Sequence, residues 1–145
     1  MIYYRSRISP EIKTIANYIA TQACPYTEGN NELCHAKAIY YFVRDNIKYV
    51  PDPLKTEYIE SPELILNSES ADCDGFSVLL ASLYTHIGIE SRYVLIKNHI
   101  FTQIKLKEPS KYADKDGYIY LDATCKECEF GELPNSVKID SKTII

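Results

Sequence analysis

Asp72-Cys73-Asp74-Gly75-Phe76-Ser77-Val78-Leu79-Leu80-Ala81-Ser82-Leu83-Tyr84-Thr85-His86-Ile87-Gly88 carries the strongest helical pattern in the chain. Phe76, Leu79, Leu80, Leu83 and Ile87 recur at spacings of 3, 1, 3 and 4, which lays a wide apolar stripe along one face. Asp72 stands where a cap residue belongs, and Gly88 where a helix leaves through a left-handed residue. Beyond Gly88 the period becomes that of strands. Arg92-Tyr93-Val94-Leu95-Ile96 is rich in β formers, and Ile100 to Leu106 alternates apolar with polar over most of its length. Lys107 to Gly117 reads as a charged hairpin loop. Tyr118 to Asp122 reads as a third strand, with Val137-Lys138-Ile139 a weak fourth.

Upstream of Asp72 the pattern is helical. Ser9-Pro10-Glu11 combines a cap, a proline at the first helical position and an acid in the first turn. Ile12, Ile15, Ala16 and Ile19 then share a face up to Cys24-Pro25. Tyr26 to Asn30 is a polar connection, and Asn31 is placed to cap a helix whose inward face is Leu33, Ala36, Ile39, Tyr40 and Val43. Tyr49-Val50-Pro51-Asp52-Pro53 ends it, because two prolines cannot continue a helix. Ser61-Pro62-Glu63 repeats the start signal for a short helix to about Asn67. Helices followed by strands predict an α+β fold with a mostly antiparallel sheet.

The chain has 145 residues, 46% hydrophobic and 25% charged, which suits one domain over 1–145. Sixteen basic against twenty acidic residues leave a net charge of −4, with a pI near 5.4, so nucleic-acid binding is not expected. No apolar run approaches a membrane span, and the first residues do not read as a secretion signal. The expected setting is therefore cytoplasmic, with no membrane partner. Tyrosine occurs 13 times, phenylalanine 4 times and tryptophan not at all.

Chemistry concentrates at Cys73. Unsatisfied N–H groups at a helix start stabilise a thiolate, while Asp72 and Asp74 oppose it, so activation needs a cationic partner. A small first-turn filler is the plain alternative. His99, at the head of the second strand, is the candidate partner. His86 lies 13 residues along the same helix, roughly 20 Å away at 1.5 Å per residue, and reads as a cation near the helix C-terminus. His35 is not excluded by sequence. Asp122, ending the third strand, is placed to accept a hydrogen bond from the far nitrogen of His99.

Asp72-Cys73-Asp74-Gly75-Phe76, His99 on a strand and Leu121-Asp122-Ala123-Thr124 together resemble the transglutaminase-like superfamily. Phe42-Val43-Arg44-Asp45-Asn46-Ile47-Lys48-Tyr49-Val50 and Ser61-Pro62-Glu63 are similar to its small microbial and viral members. The likeness runs from about residue 32 to 134. It implies a papain-like α+β fold, with the nucleophile heading a central helix against an antiparallel sheet. It also implies acyl transfer on amide bonds through a thioester, with Cys73 as nucleophile, His99 as base and acid, and Asp122 orienting His99. No cofactor is implied. Cys73 N–H is one oxyanion donor; Asn67 and Ser70 are candidates for the second. The chain lacks the tryptophan and the room for accessory domains found in animal members, so peptidase or amidase activity stands beside crosslinking. A protein or peptide substrate is expected. The alternative is a non-catalytic member serving as a binding or structural module in a larger assembly, such as a virus particle.

Four further cysteines stand in pairs: Cys24 with Cys34, and Cys125 with Cys128. Free thiols are expected ahead of disulfides, and a structural zinc site on Cys24, Cys34, Cys125 and Cys128 last.

Overall fold

The computed structural model describes residues 1–25, 31–51, 59–137 and 142–145. Its elements run α1 (Ile2–Ser6), α2 (Pro10–Ala23), α3 (Glu32–Asn46), β1 (Lys48–Tyr49), α4 (Pro62–Ser68), β2 (Ser70–Ala71), α5 (Cys73–His86), β3 (Glu90–Ile96), β4 (His99–Lys105), β5 (Tyr118–Leu121) and β6 (Thr143–Ile144). The predicted caps form: Ser9 accepts the Ile12 N–H, Ser61 the Leu64 N–H and Asp72 the Gly75 N–H. Each satisfies a donor that the helix cannot satisfy itself.

A four-stranded antiparallel sheet in the order β5-β4-β3-β6 receives α5 on one face. The other flank of α5 packs on α2 and α3, so α5 is the central element. Its residues Gly75 to Tyr84 are all buried, which explains why its apolar stripe is so wide. Phe76, Leu79, Leu80 and Leu83 meet Ile39, Tyr40 and Val43 of α3 and Ile104, Ile119 and Leu121 of the sheet in one core. Burial of each such side chain contributes about 1.5–3 kcal/mol.

Three fully buried tyrosines carry their hydroxyls inward, each donating to a carbonyl: Tyr84 to Ala36, Tyr40 to Cys128 and Tyr93 to Met1. A buried phenol needs such a partner. A small parallel pair, β1 with β2, sets Lys48 opposite Ser70 and Tyr49 opposite Ala71.

Two elements differ from expectation. The helix α1 has no counterpart in the periodicity, and Arg5 Nη1 ties it to the Ile145 carbonyl at 2.6 Å. The fourth strand is Thr143–Ile144, paired with β3; of the expected Val137-Lys138-Ile139 strand, Val137 is not in a strand, and Lys138 and Ile139 lie outside the described residues. The connection from Tyr26 to Asn30 also lies outside them.

The cysteines correct the expected free thiols. Cys24 is bonded to Cys34 and Cys125 to Cys128, leaving Cys73 the free cysteine. The four sulfurs considered for zinc, Cys24, Cys34, Cys125 and Cys128, are thus paired in disulfides rather than presented as thiolates. Among the described residues no group of His, Cys, Asp and Glu is arranged to hold a metal ion. Nor is any helix among them long and apolar enough to cross a membrane.

Candidate active site

Cys73 opens α5 and is partly exposed, while the next turn is buried. Gly75 lets the helix start sit this deep. A Cβ there would stand 2.6 Å from the Ala71 Cβ and 3.2 Å from Ile65 Cδ1, so α5 is pressed against β2 and α4. Asp72 spends Oδ1 on the Gly75 N–H at 2.9 Å, which ties one of the two flanking carboxylates to the helix start.

His99 begins β4, directly after the two-residue turn at Lys97-Asn98, where Asn98 takes a φ of 63°. The pairing of Ile96 with His99 fixes the ring's place at the hairpin tip. Nε2 donates to Asp122 Oδ2 at 2.7 Å. With Nε2 committed to Asp122, Nδ1 is the nitrogen left for Cys73, which also acts on the ring's charge. Asp122, then Cys73, raise the imidazole from its ordinary 6.5 to about 10, against the opposing effect of burial. A ring bonded to a buried carboxylate keeps its proton.

Asp122 follows β5 and is only 2% exposed. Burying a carboxylate is unfavourable unless its oxygens are bonded. Both are: Oδ2 to His99, and Oδ1 to the Thr124 N–H at 3.1 Å and hydroxyl at 2.6 Å. The loop behind it is fastened to α3. Cys125 N–H donates to the Asp122 carbonyl, Tyr40 reaches both the Asp122 and Cys128 carbonyls, and Arg44 donates to the Cys128 carbonyl. Lys126 Nζ caps the end of α3 on the carbonyls of Arg44 and Ile47.

The structure thus brings Cys73, His99 and Asp122 together. The other histidines stand apart. His35 lies at the start of α3, whose Ala36 carbonyl receives Tyr84, 11 residues beyond Cys73 on α5 and so roughly 16 Å along it. His86 is not the expected helix-end cation. Its Nε2 accepts the Ser9 N–H at 2.9 Å and its Nδ1 meets the Ser82 carbonyl at 2.7 Å, the pattern of a neutral ring.

A cavity of about 620 Å³ opens on His99 and Asp122, lined also by Thr124, Lys97, Asn98 and Lys126. An apolar groove of about 680 Å³ between α2 and α3, on Tyr18, Ile19, Tyr41 and Phe42, touches none of the three site residues.

Sequence reading missed Thr124 as the second anchor of Asp122, although Asp-x-Thr after a strand is a recognisable side-chain turn. Nothing local in the sequence signals that β1 places Tyr49 alongside the start of α5. Of the two residues considered for the second oxyanion donor, Asn67 is exposed at the end of α4 and Ser70 pairs with Lys48 in β2.

Comparison with known proteins agrees with this architecture. A candidate protease from Parabacteroides distasonis superposes with a TM-score of 0.61 at 15% identity over 83% of this chain, which spans 24% of that protein. A candidate cysteine protease from Cytophaga hutchinsonii gives 0.55 at 17% identity over 86% of this chain and 42% of its own length. LapG from Legionella pneumophila gives 0.54 at 13% identity, over 89% of this chain and 73% of its own. The chain therefore spans less than half of the first two proteins. No curated protein sequence matches it significantly. The transglutaminase-like superfamily profile matches residues 20–123, and the chain belongs to that superfamily.

Proposed function

We propose that residues 1–145 form one cysteine-dependent acyl-transfer domain acting on amide bonds of a protein or peptide, with Cys73 as nucleophile, His99 as acid and base, and Asp122 orienting His99. The observation that carries this reading is the His99 ring itself, bonded through Nε2 to a buried, doubly anchored Asp122 and facing the free thiol at the start of α5. Cys73, as a thiolate paired with the protonated His99, attacks the carbonyl carbon; the C–N bond then breaks as His99 gives its proton to the leaving nitrogen. The resulting thioester passes to water, giving hydrolysis, or to an amine, giving transamidation. The likeness to two candidate proteases favours hydrolysis. The two disulfides support an oxidising compartment rather than the cytoplasm expected from the sequence.

The test is Cys73 alkylation by iodoacetamide against pH, read by mass spectrometry beside His99→Ala. Reaction well below the ordinary thiol value of roughly 8.5, lost in the variant, is expected. Ordinary thiol behaviour that ignores His99 would overturn the reading and favour a non-catalytic binding module.

A further inference from the structure

Acyl transfer at Cys73 needs a second donor for the oxyanion, and we infer that the Tyr49 hydroxyl supplies it, as a residue that touches the substrate carbonyl. This inference rests on the acyl-transfer reading above.

Tyr49 reaches the site through the backbone. In the parallel pair it lies opposite Ala71, two residues before Cys73. Lys48 N–H bonds the Glu69 carbonyl at 2.8 Å and Val50 N–H the Ala71 carbonyl at 2.9 Å, so the register is fixed on both sides of Tyr49. Its ring centroid stands 6.3 Å from that of Phe76, three residues after Cys73. The phenol is thus held on both sides of the nucleophile in sequence, against the first turn of α5. The residue remains 43% exposed, and among the described residues its hydroxyl has no hydrogen-bond partner.

The buried Tyr40, Tyr84 and Tyr93 spend their hydroxyls on backbone carbonyls; Tyr49, beside the start of α5, does not. Its surroundings suit a neutral donor. Burial first, then Cys73, Asp72, Asp122 and Asp74, all push the Tyr49 phenol above its ordinary value, so it stays protonated where the thiolate works. A neutral O–H adds no positive charge to compete with the His99 imidazolium for the thiolate.

The step balances simply. The Cys73 sulfur–carbon bond forms as the carbonyl π pair moves onto oxygen. The Cys73 N–H and the Tyr49 O–H donate hydrogen bonds to that oxygen without giving up their protons. When the carbonyl reforms, the amine leaves with the proton from His99. Such donors matter because they meet charge that exists only in the transition state.

Tyr49→Phe keeps the ring against Phe76 and deletes the hydroxyl alone. Two probes read it: the acylation burst with p-nitrophenyl acetate, and the affinity of a peptide aldehyde, whose hemithioacetal oxygen occupies the oxyanion position. The expected result is an acylation rate lower by about 10²–10³-fold with KM nearly unchanged, and an aldehyde Kd at least about tenfold weaker. Iodoacetamide alkylation of Cys73 keeps its rate and pH profile, since displacing iodide forms no oxyanion; this also reports intact folding. A variant equal to wild type on both probes overturns the inference and leaves the function standing. Slower alkylation in step with slower acylation also overturns it, because Tyr49 would then act on the thiol. A wild-type chain that neither acylates nor binds aldehyde overturns the proposed function and this inference together.

Discussion

The two disulfides hold regions of opposite character. Cys24–Cys34 spans ten positions and joins the end of α2 to the start of α3, away from Cys73, His99 and Asp122. Cys125–Cys128 spans three and closes the loop that begins at Asp122. The first bond is the longer cross-link, between two helix ends. The second is a short one inside a web of Tyr40, Arg44 and Lys126. Entropic stabilisation grows with the closed loop, so the first bond matters more for stability. The second lies where geometry matters more than stability. A small fold can therefore separate what keeps it folded from what keeps its chemistry aligned.

The largest break in that separation is Asp122→Asn. It leaves the loop closed but removes the anion that holds the His99 proton. We expect kcat/KM to fall by about 10²–10⁴-fold. The alkaline limb of the pH profile is expected near 10 in the wild type and displaced toward 6.5 in the variant. The stability effect has a definite sign. His99 has a folded value above its ordinary one, so its pairing contributes fully below about 6.5 and is lost as pH rises through about 10. Urea unfolding should accordingly separate wild type from variant at pH 6 and bring them together above pH 10.

Next comes Cys24→Ser with Cys34→Ser, expected to destabilise by about 3 kcal/mol in the loop-entropy account while Cys73 alkylation at pH 7 is unchanged. Thermal unfolding paired with the alkylation rate checks both halves. Cys125→Ser with Cys128→Ser should lower stability less, by about 2 kcal/mol. If the web around the loop holds, the alkaline limb stays near its wild-type position; a shift as large as that of Asp122→Asn would show that the disulfide alone aligns the site. The smallest effect expected is Thr124→Val, which removes the hydroxyl bond to Asp122 but keeps the backbone one. A loss of about 1.5 kcal/mol in urea unfolding is expected.

What could be read beforehand follows the range of the forces involved. Caps at Ser9, Ser61 and Asp72 and the stripe from Phe76 to Leu83 are local patterns, and each element they mark is present. Cys73, His99 and Asp122 each sit at the edge of a recognisable element, and packing of α5 on β4 and of β4 on β5 brings those edges together. The helix α1 was not legible, since five residues carry too short a period, and it is held by packing on α5 and by bonds from Tyr93 and to Ile145. Pairing of the cysteines depends on which loops the packing brings together. His86 looked like a cation because helix ends favour one; the Ser9 N–H, 77 positions away, made it an acceptor instead. Tyr49 owes its place to a two-residue parallel bridge whose partner lies beyond another helix.

The buried tyrosines give the chain an optical ruler. With no tryptophan, its near-ultraviolet signal belongs to phenols. Lys37 pulls Tyr112 below its ordinary value, while burial drives Tyr40, Tyr84 and Tyr93 far above theirs. A phenolate absorbance titration should therefore begin early with Tyr112. It should release the last three only when the core opens, so the end of the curve measures unfolding rather than ionisation.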